Sequence, residues 1–501
     1  MAISNAVDPT RISTVIGYAL DKGTEGVSGG FLPQSIAIVG EANTANQTAL
    51  KTKLEFTSAD EVGQEFGYGS PLHLAALRVR GNIDVGGVRT IAYSVPEAGA
   101  AAAQENTIAV TGTASKAATQ YIIIGGQYIG FTVLPSDDDT AILGKIKDAI
   151  NANINCPMGA GTVSVTPDLP VTAKWAGESS ADIKIEFAGD DVGLTYTAVE
   201  ATAGAGAVLP DDALALFGME WNTFVINALK ATGTVLDAYE AFNGNSDTRN
   251  GRYNPENWKP FVVCSGTVES DKDNLIAITT GRKNEQTNII MPAPNSLSLP
   301  LEIAAVTAAI YTPKVQRDPK LDIQNDRLIG IVPPQVLTAT DLDVYNNRDL
   351  VVKNGCSTVA LQDGDYFVKD FITTYHPDGE LPPQFRYVRD LAGIDFNVGY
   401  RTIFLDNTYI LGKTILPDSN PSVDPEVIKP NDAKSIMVQN LVQDFASQGI
   451  FADSAYSLEN MQVEIDGTNP NRLNFRIPYK RSGYVRIIST NVVANFYLGG
   501  S

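Results

Sequence analysis

Residues 222–294 read "NTFVINALKATGTVLDAYEAFNGNSDTRNGRYNPENWKPFVVCSGTVESDKDNLIAITTGRKNEQTNIIMPAP". Three short apolar runs, "NTFVINAL", "KPFVVCSGT" and "TNIIMPAP", are separated by "TVLDAYEAFNG" and "SDKDNLIAITTGRKN", whose apolar residues recur at helical spacing. "LPLEIAAVTAAIYTP" (299–313) adds a third helix. Continuous apolar strands alternating with amphipathic helices predict a parallel sheet covered on both faces.

Upstream, "SIAIVG" (35–40) and "VRTIAYSV" (88–95) read as strands at the start of an α/β domain. Between them "TSADEVGQEFGYGSPLHLAALRVRG" (57–81) predicts two short helices. Ser58 and Glu61 form a capping box for the first, and Pro71 suits the first turn of the second. Residues 98–215 interrupt the pattern between two small-residue linkers, "AGAAAAQ" (98–104) and "ATAGAGAVLP" (201–210). Inside them lie a hairpin signal at Gly125-Gly126, an amphipathic helix over 136–154 with Ile142, Leu143, Ile146 and Ile150 on one face, and strands at "TVSVTP" (162–167) and "IKIEFAG" (183–189). This reads as a small inserted α+β domain. Downstream, "STVALQDGDYFVKDFITTY" (357–375) predicts a hairpin turning at Asp363-Gly364. Residues 376–501 form a further α+β unit, with a helix near "PNDAKSIMVQNLVQDFASQGI" and strands "MQVEID" and "NRLNFRIPY". The expected division is an arm (1–34), the first part of an α/β domain (35–97), the insert (98–215), the central α/β domain (216–375) and the C-terminal unit (376–501).

The 501 residues are too many for one ordinary domain. The net charge of −20, from 37 basic and 57 acidic side chains, argues against nucleic-acid or membrane-surface binding. "MAISNAVDPT" lacks the apolar core of a signal peptide, and "LEIAAVTAAIY" is too short to span a bilayer. Cys156, Cys264 and Cys356 are far apart and read as buried thiols. Charge is uneven: residues 98–215 hold 14 acidic side chains against 5 lysines, net −9, whereas nothing after Asp466 is acidic. That tail carries Arg472, Arg476, Lys480, Arg481 and Arg486.

The chain's last stretch, "SGYVRIISTNVVANFYLGGS" (482–501), has strand composition and one charge over 484–498. Such a strand is either paired within its own domain or offers its backbone to another chain.

A search for chemistry finds none. "GVSGG" (26–30) fits G-x-S-x-G but lacks the strand before and the helix after that a nucleophile elbow requires. "GKT" (412–414) has Asn407 where a phosphate loop needs Gly. "DLDVYNNRD" (341–349) places Tyr345 at a calcium-ligand position, and "SDDDT" (136–140) suits a helix N-terminus. His73 and His376 sit in no catalytic motif. No catalytic, cofactor-binding or metal residues are therefore expected.

Several segments occur in the order found in Mu-like contractile tail sheath proteins of bacteriophages. They are "FTSADEVGQEFGYGSPLHLAALRV" (56–79), the linker-flanked insert, "WNTFVINAL" (221–229), the run from "FVVCSGT" to "NDRLIGIVPP" (261–334), "NNRDLVVKNGCSTVALQDGDYFVKDFITTY" (346–375) and "FRYVRDLAGIDF" (385–396). The chain resembles this family over nearly its whole length, most loosely in the arm and the last hundred residues. The resemblance implies a non-enzymatic subunit that stacks helically around a tail tube, with a central sheet of subtilisin-like topology but no triad. It implies neighbouring sheath subunits, the tube protein, and baseplate and tail terminator proteins as partners, and no nucleic acid or membrane insertion. It also implies assembly in the host cytoplasm and residence in the virion tail. A bacteriocin or secretion machine shares the same mechanics, and an α/β hydrolase-like enzyme is the reading from another class. The terminal arms would add strands to neighbouring subunits through Ile12, Val15, Ile16, Tyr484, Val485, Ile487, Ile488, Val492, Val493 and Phe496. Arg386, Arg389, Arg401, Arg472, Arg476, Lys480 and Arg481 are the candidates to face the tube. Arg386 and Arg389, three apart, would share a helix face. Pairing of such arginines with nearby Asp390 and Asp395 is the competing expectation.

Overall fold

The structure, a computed structural model, describes residues 30–49, 52–380 and 383–494. They belong to two compact units, one of Phe31–Val398 and one that holds Gly30 and the described residues from Gly399 onward.

In the first unit, β1 (Ser35–Glu41) is buried along its whole length. β2 (Lys53–Glu55) follows, and then α1 (Ala59–Phe66), with the Ser58–Glu61 capping box formed, and α2 (Pro71–Arg80), with Pro71 in its first turn. β3 (Arg89–Val95) lies parallel to β1, with Ile38 opposite Ala92.

The chain then leaves the sheet. β4 (Glu105–Gly112), β5 (Ala118–Ile124), β6 (Gln127–Val133), α3 (Asp139–Ala152), β7 (Met158–Ala160), β8 (Leu169–Ala173), β9 (Ile185–Gly189) and β10 (Leu194–Thr202) make two separate sheets, ordered β10-β4-β8-β7 and β6-β5-β9. Gly125 and Gly126 take positive φ, as a two-residue hairpin turn requires. Ile142, Leu143, Ile146 and Ile150 are the buried face of α3. The "TVSVTP" segment is not a strand. It is a loop, closed by Ser164 N–H donating to Asp168 O at 2.9 Å, and Val165 is fully exposed. Alternation alone does not make a strand where no partner covers one face. The exit and return linkers pair with each other: Ala102 N–H donates to Ala205 O at 2.8 Å and Ala205 N–H to Ala102 O at 2.9 Å.

On return, α4 (Asp211–Ala215) places Ala213 and Leu214 in the main core with Phe217, Val39, Tyr93 and Val225. Packing therefore passes from the inserted region to the sheet body before residue 215. β11 (Phe224–Asn227), α5 (Gly233–Asn243), β12 (Val262–Thr267), α6 (Lys272–Thr279), β13 (Asn288–Pro292) and α7 (Pro300–Arg317) complete the β-α-β run. The sheet order is β13-β12-β11-β1-β3-β2, parallel except for β2. Each fully buried Val, Ile or Phe of these strands contributes about 1.5–3 kcal/mol, offset largely by ordering entropy. Glu302 fixes the start of α7, accepting from Leu299 N–H at 3.0 Å and pairing with Arg78 of α2 at 2.8 Å. α8 (Tyr345–Lys353) precedes the hairpin of β14 (Thr358–Gln362) and β15 (Asp365–Asp370), which turns at Asp363 and Gly364, both with positive φ. The unit extends past position 376 because Tyr387 bridges to Ile372 and the Tyr311 hydroxyl donates to Val388 O at 3.1 Å.

The second unit is α+β. Helix Pro430–Met437 continues through a π-helical stretch, Val438–Gln443. Helix Ser454–Asn460 follows, and then an antiparallel hairpin of Gln462–Ile465 with Leu473–Arg476. Met437, Leu441, Phe445, Ile450, Phe451 and Met461 form its core, with Phe451 stacked on Tyr479 at 4.9 Å.

Candidate functional site

The parallel strands run, in chain order, 2-1-3-4-5 across the sheet. That order creates a switch point between β1 and β11, and open α/β sheets bind ligands outside the carboxyl ends of the strands at such a point. Here the place is filled by the chain itself. Glu41, the last residue of β1, accepts a 2.5 Å hydrogen bond at Oε2 from Ser179 Oγ, which in turn accepts from the Trp175 indole N–H at 2.8 Å. Glu97, just beyond β3, accepts from Ala176 N–H at 2.9 Å and from Thr44 Oγ1 at 2.6 Å. Lys230, just beyond β11, is ion-paired with Asp182. What remains is a cavity of about 10 Å³ beside Glu41, Glu178, Ser179 and Lys230, room for roughly one water.

A larger cavity of about 430 Å³ opens beside it, lined by Asp182, Lys230, Thr267, Glu269 and Asn295 among others. No His or Cys lines it. His73 is buried in α2, its Nδ1 accepting from Gly69 N–H at 3.0 Å, and burial pulls its pKa down to about 4. His376 Nδ1 lies 2.6 Å from Thr374 O, and burial lowers its pKa as well. All three cysteines are free and buried, and burial raises each thiol, that of Cys156 to about 11. Among the described residues no cluster of His, Cys, Asp or Glu is placed to hold a metal ion, and no helix is long and apolar enough to cross a membrane.

The arm candidates divide. Ile12, Val15, Ile16 and Phe496 lie outside the described residues. Tyr484 to Val493 are described, and the stretch 484–494 joins no β-ladder among the described residues. Just before it, the Phe451–Arg481 bridge and Ser482 N–H donating to Ile450 O at 2.9 Å tie the chain to its own unit. Beyond them Val485, Ile487, Ile488, Val492 and Val493 are 73–83% exposed, and 484–494 pairs with no strand among the described residues.

The basic candidates divide too. In the first unit Arg389 is 2% exposed, held by Asp390 at 2.6 Å and by Lys320 O at 2.7 Å. Arg386 precedes the helix that contains Arg389, is half-buried and donates to Lys353 O at 3.5 Å, so the two do not share a helix face. In the second unit Arg401 is 3% exposed, ion-paired with Asp444 and 5.6 Å above the Phe445 ring. Arg389 and Arg401 are thus internal ties and present no surface to a tube. Arg472, Arg476 and Lys480 are exposed. Arg472 donates to Asn474 at 2.8 Å, and Lys480 pairs with Asp453 at 2.7 Å and sits 4.3 Å over the Tyr456 ring. Sequence reasoning missed the Glu41–Ser179 contact, because its partners are 138 positions apart.

No protein-family model matches the chain. It is 22% identical over 395 residues to the Mu-like prophage FluMu tail sheath protein of Haemophilus influenzae, covering 75% of this chain and 76% of that one. Among solved structures, a sheath tail protein from Desulfitobacterium hafniense aligns at 11% identity and a TM-score of 0.46, over 93% of this chain and all of that one. The contracted helical sheath of the anti-feeding prophage aligns at 10% identity and a TM-score of 0.45, over 97% of this chain and all of that one. The ordered segments read from the sequence and the similarity across three quarters of both chains agree: this chain is similar to a Mu-like prophage tail sheath protein.

Proposed function

We propose that the protein is a structural subunit of a contractile tail sheath. It polymerises helically around a tail tube and shortens by rigid-body rearrangement to drive the tube through a host envelope. The observation that carries this reading is the exposed, largely apolar run from Val485 to Val493, without a ladder among the described residues, on a chain similar to a sheath protein. Strand addition is directional and depends little on side chains, and a head-to-tail contact that does not close gives a helical tube. The arm at 1–34 would supply the matching strand, and the region within 98–215 would form an outer domain. Subunits would assemble in the host cytoplasm between baseplate and terminator proteins. The central sheet would be a subtilisin-like scaffold without enzymatic activity, a reading supported by its parallel strands and by a switch crevice filled by the chain itself. Electron microscopy of the purified chain mixed with its tube protein is the test: sheathed tubes support the proposal, and uniform monomers at every concentration refute it.

The tube-facing part of the proposal rests on the exposed arginines of the acid-free tail. Each exposed ion pair is worth only about 0–1 kcal/mol, which suits a contact that must release. Reversing Arg472 and Arg476 together (R472E/R476E) is expected to weaken co-sedimentation with tube by about tenfold at low salt, with a smaller difference at high salt. Tube binding that is indifferent to both salt and the reversal would point to an apolar contact.

A further inference from the structure

The switch crevice contains a carboxyl group that its surroundings do not satisfy. Glu41 is 1% exposed; Oε2 takes the Ser179 bond, while Oε1 is buried without a hydrogen-bond partner among the described residues. Oε1 lies directly against the inserted region, since a Cβ at Gly177 would stand 2.3 Å from it. The charged groups facing Glu41 come from three places. Glu97 follows β3 and Glu178 comes from the inserted region, both bringing like charge. Lys230 follows β11 and lines the same small cavity, but its ammonium is engaged by Asp182. An ionised Glu41 therefore has one buried oxygen without a partner among the described residues, two carboxylates nearby and, with Lys230 held by Asp182, no cation paired to it.

We propose that Glu41 is a proton-operated latch between the carboxyl end of the sheet and the inserted region: its neutral carboxyl closes the segment Trp175–Asp182 onto the crevice, and its ionisation loosens that segment. Besides the Lys230–Asp182 ion pair, the Gln104 N–H bond to Ser180 Oγ at 3.1 Å and the buried Trp175, the segment is held through backbone amides. Ala176 N–H bonds Glu97, Gly177 N–H bonds Ala102 O at 3.2 Å and Glu178 N–H bonds Gly206 O at 3.2 Å. The first of these anchors is itself an acid beside Glu41.

The direction of the pH effect follows from the site. Burial, reinforced by Glu97 and Glu178 and opposed by the Ser179 bond, pushes the Glu41 pKa from 4.5 up to about 7. The closed seat binds the proton more tightly than an opened, hydrated one. Closure is therefore favoured in full below pH 4.5, and that advantage is lost as pH rises to about 7. A shift of this size corresponds to about a 300-fold change in the ratio of open to closed forms across the window. This latch does not depend on the sheath reading and would operate in the isolated subunit.

Hydrogen exchange of the full chain tests it. Exchange at Ala176, Gly177, Glu178 and Ser180, corrected for the intrinsic pH dependence of amide exchange, gives the opening equilibrium between pH 5 and 8.5. In the wild type, opening is expected to rise by up to about 75-fold over that range, while E41Q stays flat. S179A removes the bond that favours the ionised form, so the wild-type midpoint should move to higher pH. If E41Q does not fold, S179A decides alone. Opening in the wild type that is flat with pH, or a midpoint unmoved in S179A, overturns the latch.

Discussion

A chain ending at Gly483 is expected to fold as the full protein does and to remain monomeric under conditions where the full chain polymerises. Among the described residues 484–494 joins no ladder, and its five Val and Ile side chains are exposed. The cation–π contact of Arg486 over the Tyr484 ring, at 5.1 Å, is deleted as a pair. Thermal unfolding should shift by no more than the equivalent of about 0.5 kcal/mol, the usual range for changes away from packed features. The assembly side is different in scale. Burying five such side chains against a neighbour is worth on the order of 10 kcal/mol, and ordering about ten residues costs about as much again. The net gain per contact is small, so it is the backbone ladder and its repetition along the lattice that decide, and both vanish with the strand. Sedimentation velocity and a melting curve on the same sample suffice. A truncated chain that still forms tubes, or that melts well below the parent, would place the strand elsewhere.

The second large effect is a single methyl group. At Gly266, in β12, an added Cβ would stand 1.9 Å from the backbone carbonyl oxygen of Pro300 and 3.0 Å from the Ile303 side chain. The obstacle is the first turn of α7, fixed by Glu302 and Arg78, so it cannot swing away as a flexible side chain would. G266A is expected to cost about 3 kcal/mol or more, the upper end of overpacking penalties, or to prevent folding. At Gly281, just past α6, the same Cβ meets nothing within 4 Å, and G281A should be neutral or slightly stabilising. Urea unfolding of the two variants is a matched pair. Equal midpoints would mean that the close approach of β12 to α7 is wrong.

What the sequence disclosed was what neighbouring residues determine among themselves. The Ser58–Glu61 box, the buried face of α3, and the turns at Gly125-Gly126 and Asp363-Gly364 each depend on spacings of a few positions, and all are present. Misreadings came where a distant partner decides. "TVSVTP" has strand composition, but no element covers Val165. Arg389 and Arg401 look like surface cations until Lys320 and Asp444 enclose them. Leu214 looks like part of a linker until Phe217 and Val39 are found around it. Glu41 ends a strand and reads as a solvated acid, because nothing nearby in sequence announces that Ser179 will cover it.

The reciprocal bonds between Ala102 and Ala205 also have a mechanical meaning. A body hung on one chain can swivel freely, whereas one hung on two chains pinned side by side has lost the axis along them. Tension on the inserted region runs down two covalent strands in parallel and leaves the bonds between them unloaded. Torsion must shear those bonds, so the two linkers resist turning about each other.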